Sequence, residues 1–146
     1  MKKFRFLLFA SLGLLPSYLM AQNITTTEKC IPCEKLTELK FPDLKITEAV
    51  TISTGTSYCK VLGVIGKEIN FELLLPIEWN GIYIMGGGGG FVGVIQNAAG
   101  SMVNDGYSTS GTDTGHNTGR MSADWALNNM ERQLNFGHLA IHRTSE

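Results

Sequence analysis

The chain has 146 residues, 12 Lys or Arg against 13 Asp or Glu, and a formal net charge of −1. That length suits one domain of modest size. The near-neutral balance, with no clustered Lys and Arg, argues against nucleic acid as a partner.

The N-terminus reads as an export signal. Lys2, Lys3 and Arg5 precede an apolar stretch, Phe6 to Leu15, and Pro16-Ser17-Tyr18-Leu19-Met20-Ala21 follows. The expected cleavage lies after Ala21, because the apolar stretch is too short to span a bilayer. The expected division is therefore a signal peptide over 1–21 and a domain fragment over 22–146. Without the leader, 9 of the 12 basic residues face 13 acidic ones, a net charge of about −4. The expected location is secreted or periplasmic, with no membrane attachment after cleavage. Nothing in the sequence sets an oligomeric state.

Export permits disulfides. Of the three cysteines, Cys30 and Cys33 form "CIPC" and Cys59 follows later. A redox site would need a strand before the pair, and "QNITTTEK" is polar. A four-cysteine zinc site lacks its second pair. A structural bridge to Cys59 is the better reading, which leaves one cysteine free or bonded outside the chain.

Beyond a polar leader, "CEKLTELKFPD" begins with a short helical turn that Pro42 ends. "LKITEAVTIS" alternates enough for a strand. "YCKVLGVIG" and "EINFELLLP" give two more, joined at Gly66-Lys67 and closed by Pro76. "IEWNG" is a turn, and "IYIM" is a short apolar strand running into "GGGGGFVG". "GVIQNAAGSMVNDG" is expected to start with a helical turn and to be loop-like after it. "YSTSGTDTGH" is a β-branched polar segment ending in an Asp-Thr-Gly-His turn. Residues 124–146 are expected to be helical in their second half, and a helix of that pattern, without a terminal glycine or proline, would normally continue. The order suggests an α/β fold with antiparallel edge strands leading into a mainly parallel sheet.

The glycine run Gly86–Gly90 is costly to order. Three readings compete. Gly88, Gly90 and Gly93 satisfy G-x-G-x-x-G after a strand, and Asp113 follows at the spacing of a ribose-binding acid. That would make a nucleotide-dependent oxidoreductase. Yet so glycine-rich a run matches the pattern almost unavoidably, and no helix of useful length follows. The second reading is an oxyanion-hole loop, in which backbone N–H groups face a cleft and Phe91 walls off solvent. The third is a close backbone crossing with no ligand. A cleft without chemistry, binding a glycan or small aromatic molecule, is a further alternative.

Other candidate groups are weaker. Gly106-Tyr107-Ser108-Thr109-Ser110 lacks the final glycine of a nucleophile elbow. His138 and His142 have metal-ligand spacing on a helix but lack the Glu of H-E-x-x-H and any evident third ligand. Asp113 and His116 could form an acid–base pair, or Asp113 could cap its own turn. An electrophilic loop is present without a credible nucleophile.

The chain resembles the N-terminal part of the tannase and feruloyl esterase family of secreted α/β-hydrolases. The resemblance rests on "CEKLTELKFPDLKITEA", "YCKVLGVI", "FELLLPIEWNGIYIMGGGGGFVG", "GYSTSGTDTGH" and "WALNNMERQLNFGHLAIHRTSE". It implies hydrolysis of esters of hydroxycinnamic- or gallic-type acids through a Ser-Asp-His triad and an acyl-enzyme. The serine would sit in a C-S-x-G-G-type elbow some dozens of residues after Glu146, with the acid and base later still. A lid domain, often holding calcium, would also lie outside this chain, so no cofactor is expected within it. The resemblance further implies an oxyanion loop at Gly88, Gly89 and Gly90, with the donor at Gly89 or Gly90. It implies a disulfide between Cys33 and Cys59, and Phe91, Asp113 and His116 as cleft-lining or structural residues. Cys30 departs from the family pattern.

Overall fold

The computed structural model describes residues 31–118 and 121–146. The signal-peptide reading and Cys30 lie outside these residues. Five strands form one sheet: β1 (Leu44–Ile52), β2 (Tyr58–Ile65), β3 (Ile69–Pro76), β4 (Tyr83–Met85) and β5 (Ser108–Thr112). Their spatial order is β1-β2-β3-β5-β4. The first three form an antiparallel meander, β5 continues it antiparallel to β3, and β4 pairs with β5 in parallel. The helical elements after the strands complete an α/β fold.

Alternation explains the meander. Cys59, Val61, Gly63 and Ile65 of β2 are buried, and the residues between them are half-exposed. Register places Val61 opposite Leu73 and Ile65 opposite Ile69, so one apolar face is continuous across β2 and β3. That face forms the core with Phe71, Cys33 and Ala140. Cys33 opens a 3₁₀ helix, Cys33–Glu38, which the Cys33–Cys59 disulfide fastens to β2.

The bridge closes a loop of 26 residues in sequence separation. Loop-closure entropy of that size corresponds to about 3.5 kcal/mol. The double replacement Cys33→Ser, Cys59→Ser is expected to lower stability by about that amount in urea unfolding. An unchanged midpoint would show that the 3₁₀ helix is held by packing alone.

The C-terminal segment forms α1 (Met130–Leu134), a π-helical turn (Asn135–Leu139) and α2 (Ala140–Ser145). It fulfils the helical expectation for the second half of 124–146. Fully buried Ala140 lets the segment approach the sheet, and α2 packs on β5. Arg132–Glu68, Lys67–Glu131 and Arg143–Asp43 ion pairs tie the segment to the ends of the meander.

One local expectation is corrected. The stretch 93–106 does not begin with a helical turn. Its first half crosses β5 as extended chain, with Gln96 bridged to Thr112, and its helix comes last, a 3₁₀ segment Gly100–Asp105 ended by Gly106 at φ 82°. The crossing segment and this helix cover the second face of β3 and β5, so all five residues of β5 are buried despite their polarity.

Candidate functional site

Strand β4 delivers the chain into the glycine run at the edge of the described sheet. Gly86 is buried and donates to the Ser110 carbonyl at 2.7 Å. From Gly87 to Phe91 the loop is exposed. The glycines differ in what requires them. A Cβ on Gly88 would meet Gln96 Oε1 at 2.6 Å, and Gly90 has φ 65°. Gly87 and Gly89 face open space, so packing does not explain the missing side chains there. Bare backbone at such positions suits a ligand that approaches the chain closely.

The loop's hydrogen-bond donors are unequally used. Gly89 N–H donates to Gln96 Oε1 at 3.1 Å, and Val92 N–H to the Gly89 carbonyl at 3.3 Å. The N–H groups of Gly87, Gly88 and Gly90 donate to no described residue. Uncommitted, exposed donors on a glycine backbone are the groups an anionic oxygen would recruit.

Phe91 sits beside them, 38% exposed. Its ring meets Trp125 edge-on at 6.4 Å, and its carbonyl is 2.6 Å from His116 Nε2. A carbonyl can only accept, so Nε2 carries the hydrogen. His116 is 1% exposed, stacks on Trp125 at 3.9 Å and 9°, and pairs through Nδ1 with Thr118 Oγ1 at 3.1 Å. It is a brace behind the loop.

Asp113 caps its own turn. Its Oδ1 accepts from Gly115 N–H at 2.9 Å and from Asn70 N–H at 3.0 Å, and Oδ2 accepts from Asn70 Nδ2 at 2.6 Å. Burial pushes this carboxyl above its ordinary value of 3.8, against the opposing pull of the Asn70 and Gly115 hydrogen bonds and of His116. The partners of Asp113 and His116 exclude each other, so the two are not an acid–base couple. Asp113 also receives Gly93 N–H on its main-chain oxygen, which ties the end of the glycine loop to the end of β5.

The other sequence candidates do not join the site. Ser110 is 1% exposed and shares a 2.5 Å hydrogen bond with Tyr83 Oη, and Ser108 is buried in the same strand. His138 is exposed, and exposed His142 pairs with Glu146. Among the described residues no group of three His, Cys, Asp or Glu could hold a metal ion. The dinucleotide reading finds no helix at the loop's end, and the Asp113 carboxylate that would hold a ribose is already engaged. Gln96, Asn70 and Trp125 were not marked by the sequence. Each acts across the chain rather than within a motif.

The sequence model of the family described as "Tannase and feruloyl esterase" matches residues 53–146. An uncharacterized esterase of Agrobacterium fabrum is 30% identical over 102 residues, covering 59% of this chain and 18% of that protein. The mono(2-hydroxyethyl) terephthalate hydrolase of Piscinibacter sakaiensis is 36% identical over 76 residues, 40% of this chain and 13% of that protein. Among solved structures, an esterase from Aspergillus oryzae superposes with a TM-score of 0.67 at 21% identity, over 76% of this chain and 27% of that one. Feruloyl esterase B from the same organism gives 0.65 at 19%, over 76% and 26%. The chain thus spans less than a fifth of these curated relatives and about a quarter of these solved chains.

Proposed function

Because the chain belongs to the tannase and feruloyl esterase family, we propose that it is the N-terminal part of an exported carboxylic ester hydrolase acting on esters of aromatic acids. In this reading the glycine loop supplies an oxyanion donor, and a serine outside residues 1–146 supplies the nucleophile. The serine hydroxyl attacks the ester carbonyl carbon while a histidine base takes its proton. Negative charge moves to the carbonyl oxygen, which accepts a hydrogen bond from the loop's N–H. The intermediate collapses, the alcohol leaves with that proton, and water then releases the acid from the acyl-enzyme. Phe91 fits a wall for an aromatic acyl group.

The observation that carries the reading is the exposed run Gly87–Gly90 at the end of parallel strand β4, where the N–H donors of Gly87, Gly88 and Gly90 are used by no described residue. The leader over residues 1–21 fits export, and a disulfide at Cys33–Cys59 is at home in an exported protein. The purified 146-residue chain is expected to hydrolyse methyl ferulate no faster than buffer. Turnover that vanishes on replacing a residue within this chain would overturn the assignment of the nucleophile.

A further inference from the structure

Two side chains from separate parts of the chain hold the glycine loop on either side of one residue. Gln96 takes the Gly89 N–H at 3.1 Å, and His116 takes the Phe91 carbonyl at 2.6 Å. Gly90 lies between them at φ 65°, with its N–H committed to no described residue. Both braces are themselves fixed. His116 is sandwiched by its stack on Trp125 and its bond to Thr118. Gln96 is pinned by the crossing of its backbone over β5, where its N–H meets the Thr112 carbonyl at 3.4 Å.

The orientation of the Gln96 amide is set by its partner. An N–H can only donate, so the side-chain oxygen must face Gly89. That choice leaves Gln96 Nε2 buried without a partner among the described residues. The glycine at 88 follows from the same arrangement, because any Cβ there would strike the Gln96 side chain.

We infer that Gln96 and His116 are positioning residues that commit Gly89 N–H and the Phe91 carbonyl and so hold Gly90 N–H between them as a donor to an anionic oxygen. The donor role rests on the ester-hydrolase reading above, whereas the brace itself does not. Of the two donors that the family resemblance leaves open, Gly89 is spent and Gly90 is available.

Amide hydrogen exchange on the isotopically labelled 146-residue chain tests the brace without any assay of activity. Gly89 N–H should exchange at least about tenfold more slowly than Gly90 N–H. Gln96→Leu should abolish that difference while the amides of Val61 and Phe71 in β2 and β3 keep their protection. Equal exchange of Gly89 and Gly90 in the wild type, or Gly89 protection that survives Gln96→Leu, would overturn the brace. Loss of protection at Val61 and Phe71 as well would show that Gln96 supports the fold at large and would also overturn it.

The donor assignment is tested in the longer hydrolase. Gln96→Leu should lower kcat on methyl ferulate by about tenfold to a hundredfold, with KM within about threefold. An unchanged kcat would overturn the role of Gly90. No hydrolysis by the wild-type enzyme would refute the ester-hydrolase reading and leave the exchange result standing.

Discussion

Alanine at Gly111 is expected to leave almost no folded protein. Gly111 lies in β5 opposite Glu72 of β3, where the segment after the glycine loop crosses the strand. A Cβ there would stand 2.5 Å from the Gln96 carbonyl carbon and 2.7 Å from Asn97 Cα, with the Gln96 carbonyl oxygen closer still. These are all backbone atoms, so no side-chain rotation relieves the clash. Overpacking of a tight core costs about 1–3 kcal/mol when side chains can shift. With only backbone to move, about 4 kcal/mol or more is expected, a large fraction of a small domain's stability. The Gln96–Thr112 bridge would part first, and the glycine loop would lose its brace. Thermal unfolding followed by circular dichroism checks this. A Gly111→Ala protein melting within about 3 °C of the wild type would mean that the crossing lies farther from β5 than described.

Loss of the Asp113 carboxylate is expected to cost a similar amount. Asp113→Ala removes the acceptor of two main-chain N–H groups, on Asn70 and Gly115, and of the Asn70 side chain. Each buried donor left unpaired costs about 1–3 kcal/mol, so about 4 kcal/mol is expected for the site. The pH dependence has a definite sign. Burial holds the folded-state value of Asp113 above 3.8, so the folded chain binds this proton more tightly than the unfolded chain. The stability tied to that proton is complete below pH 3.8 and is lost as pH rises through the folded-state value. Asp113→Asn lacks the titration. Measured by urea unfolding, the stability of the wild type relative to Asp113→Asn should therefore fall as pH rises from below 3.8. A difference that moves in the wild type's favour would contradict the raised value.

Much of the sheet was legible because its information is local. Alternation in 58–65 and 69–76, a glycine at 66 and a proline at 76 set β2, β3 and their turn within a residue or two. The turn of Asp113-Thr114-Gly115 was legible as well, since an Asp before a positive-φ pair is a local hydrogen-bonding pattern; Thr114 and Gly115 have φ 64° and 83°.

Strand order was less so. Placing β5 between β3 and β4 depends on a long connection folding back over the sheet, and no short-range pattern encodes it. The same crossing explains the polar composition of β5. Small and β-branched residues fit where chain passes closely over both faces.

The braces behind the glycine loop were invisible for the same reason. Gln96 and His116 become meaningful only when three distant stretches meet. His116 read alone is an ambiguous titratable residue; stacked on Trp125 and bonded to the Phe91 carbonyl, it is a prop. The family resemblance supplied the loop's chemical meaning, and the hydrogen bonds distinguish its glycines.

We propose that this chain provides the oxyanion side of an ester hydrolase whose nucleophile lies elsewhere in the sequence. The most direct measurement is to treat the product of the full reading frame with a fluorophosphonate, which forms a covalent adduct with an activated serine, and to map the adduct by peptide mass spectrometry. One labelled serine beyond residue 146 is expected, with no label on Ser101, Ser108 or Ser110. An adduct on a serine within residues 1–146, or no adduct in a product that hydrolyses aromatic esters, would contradict it.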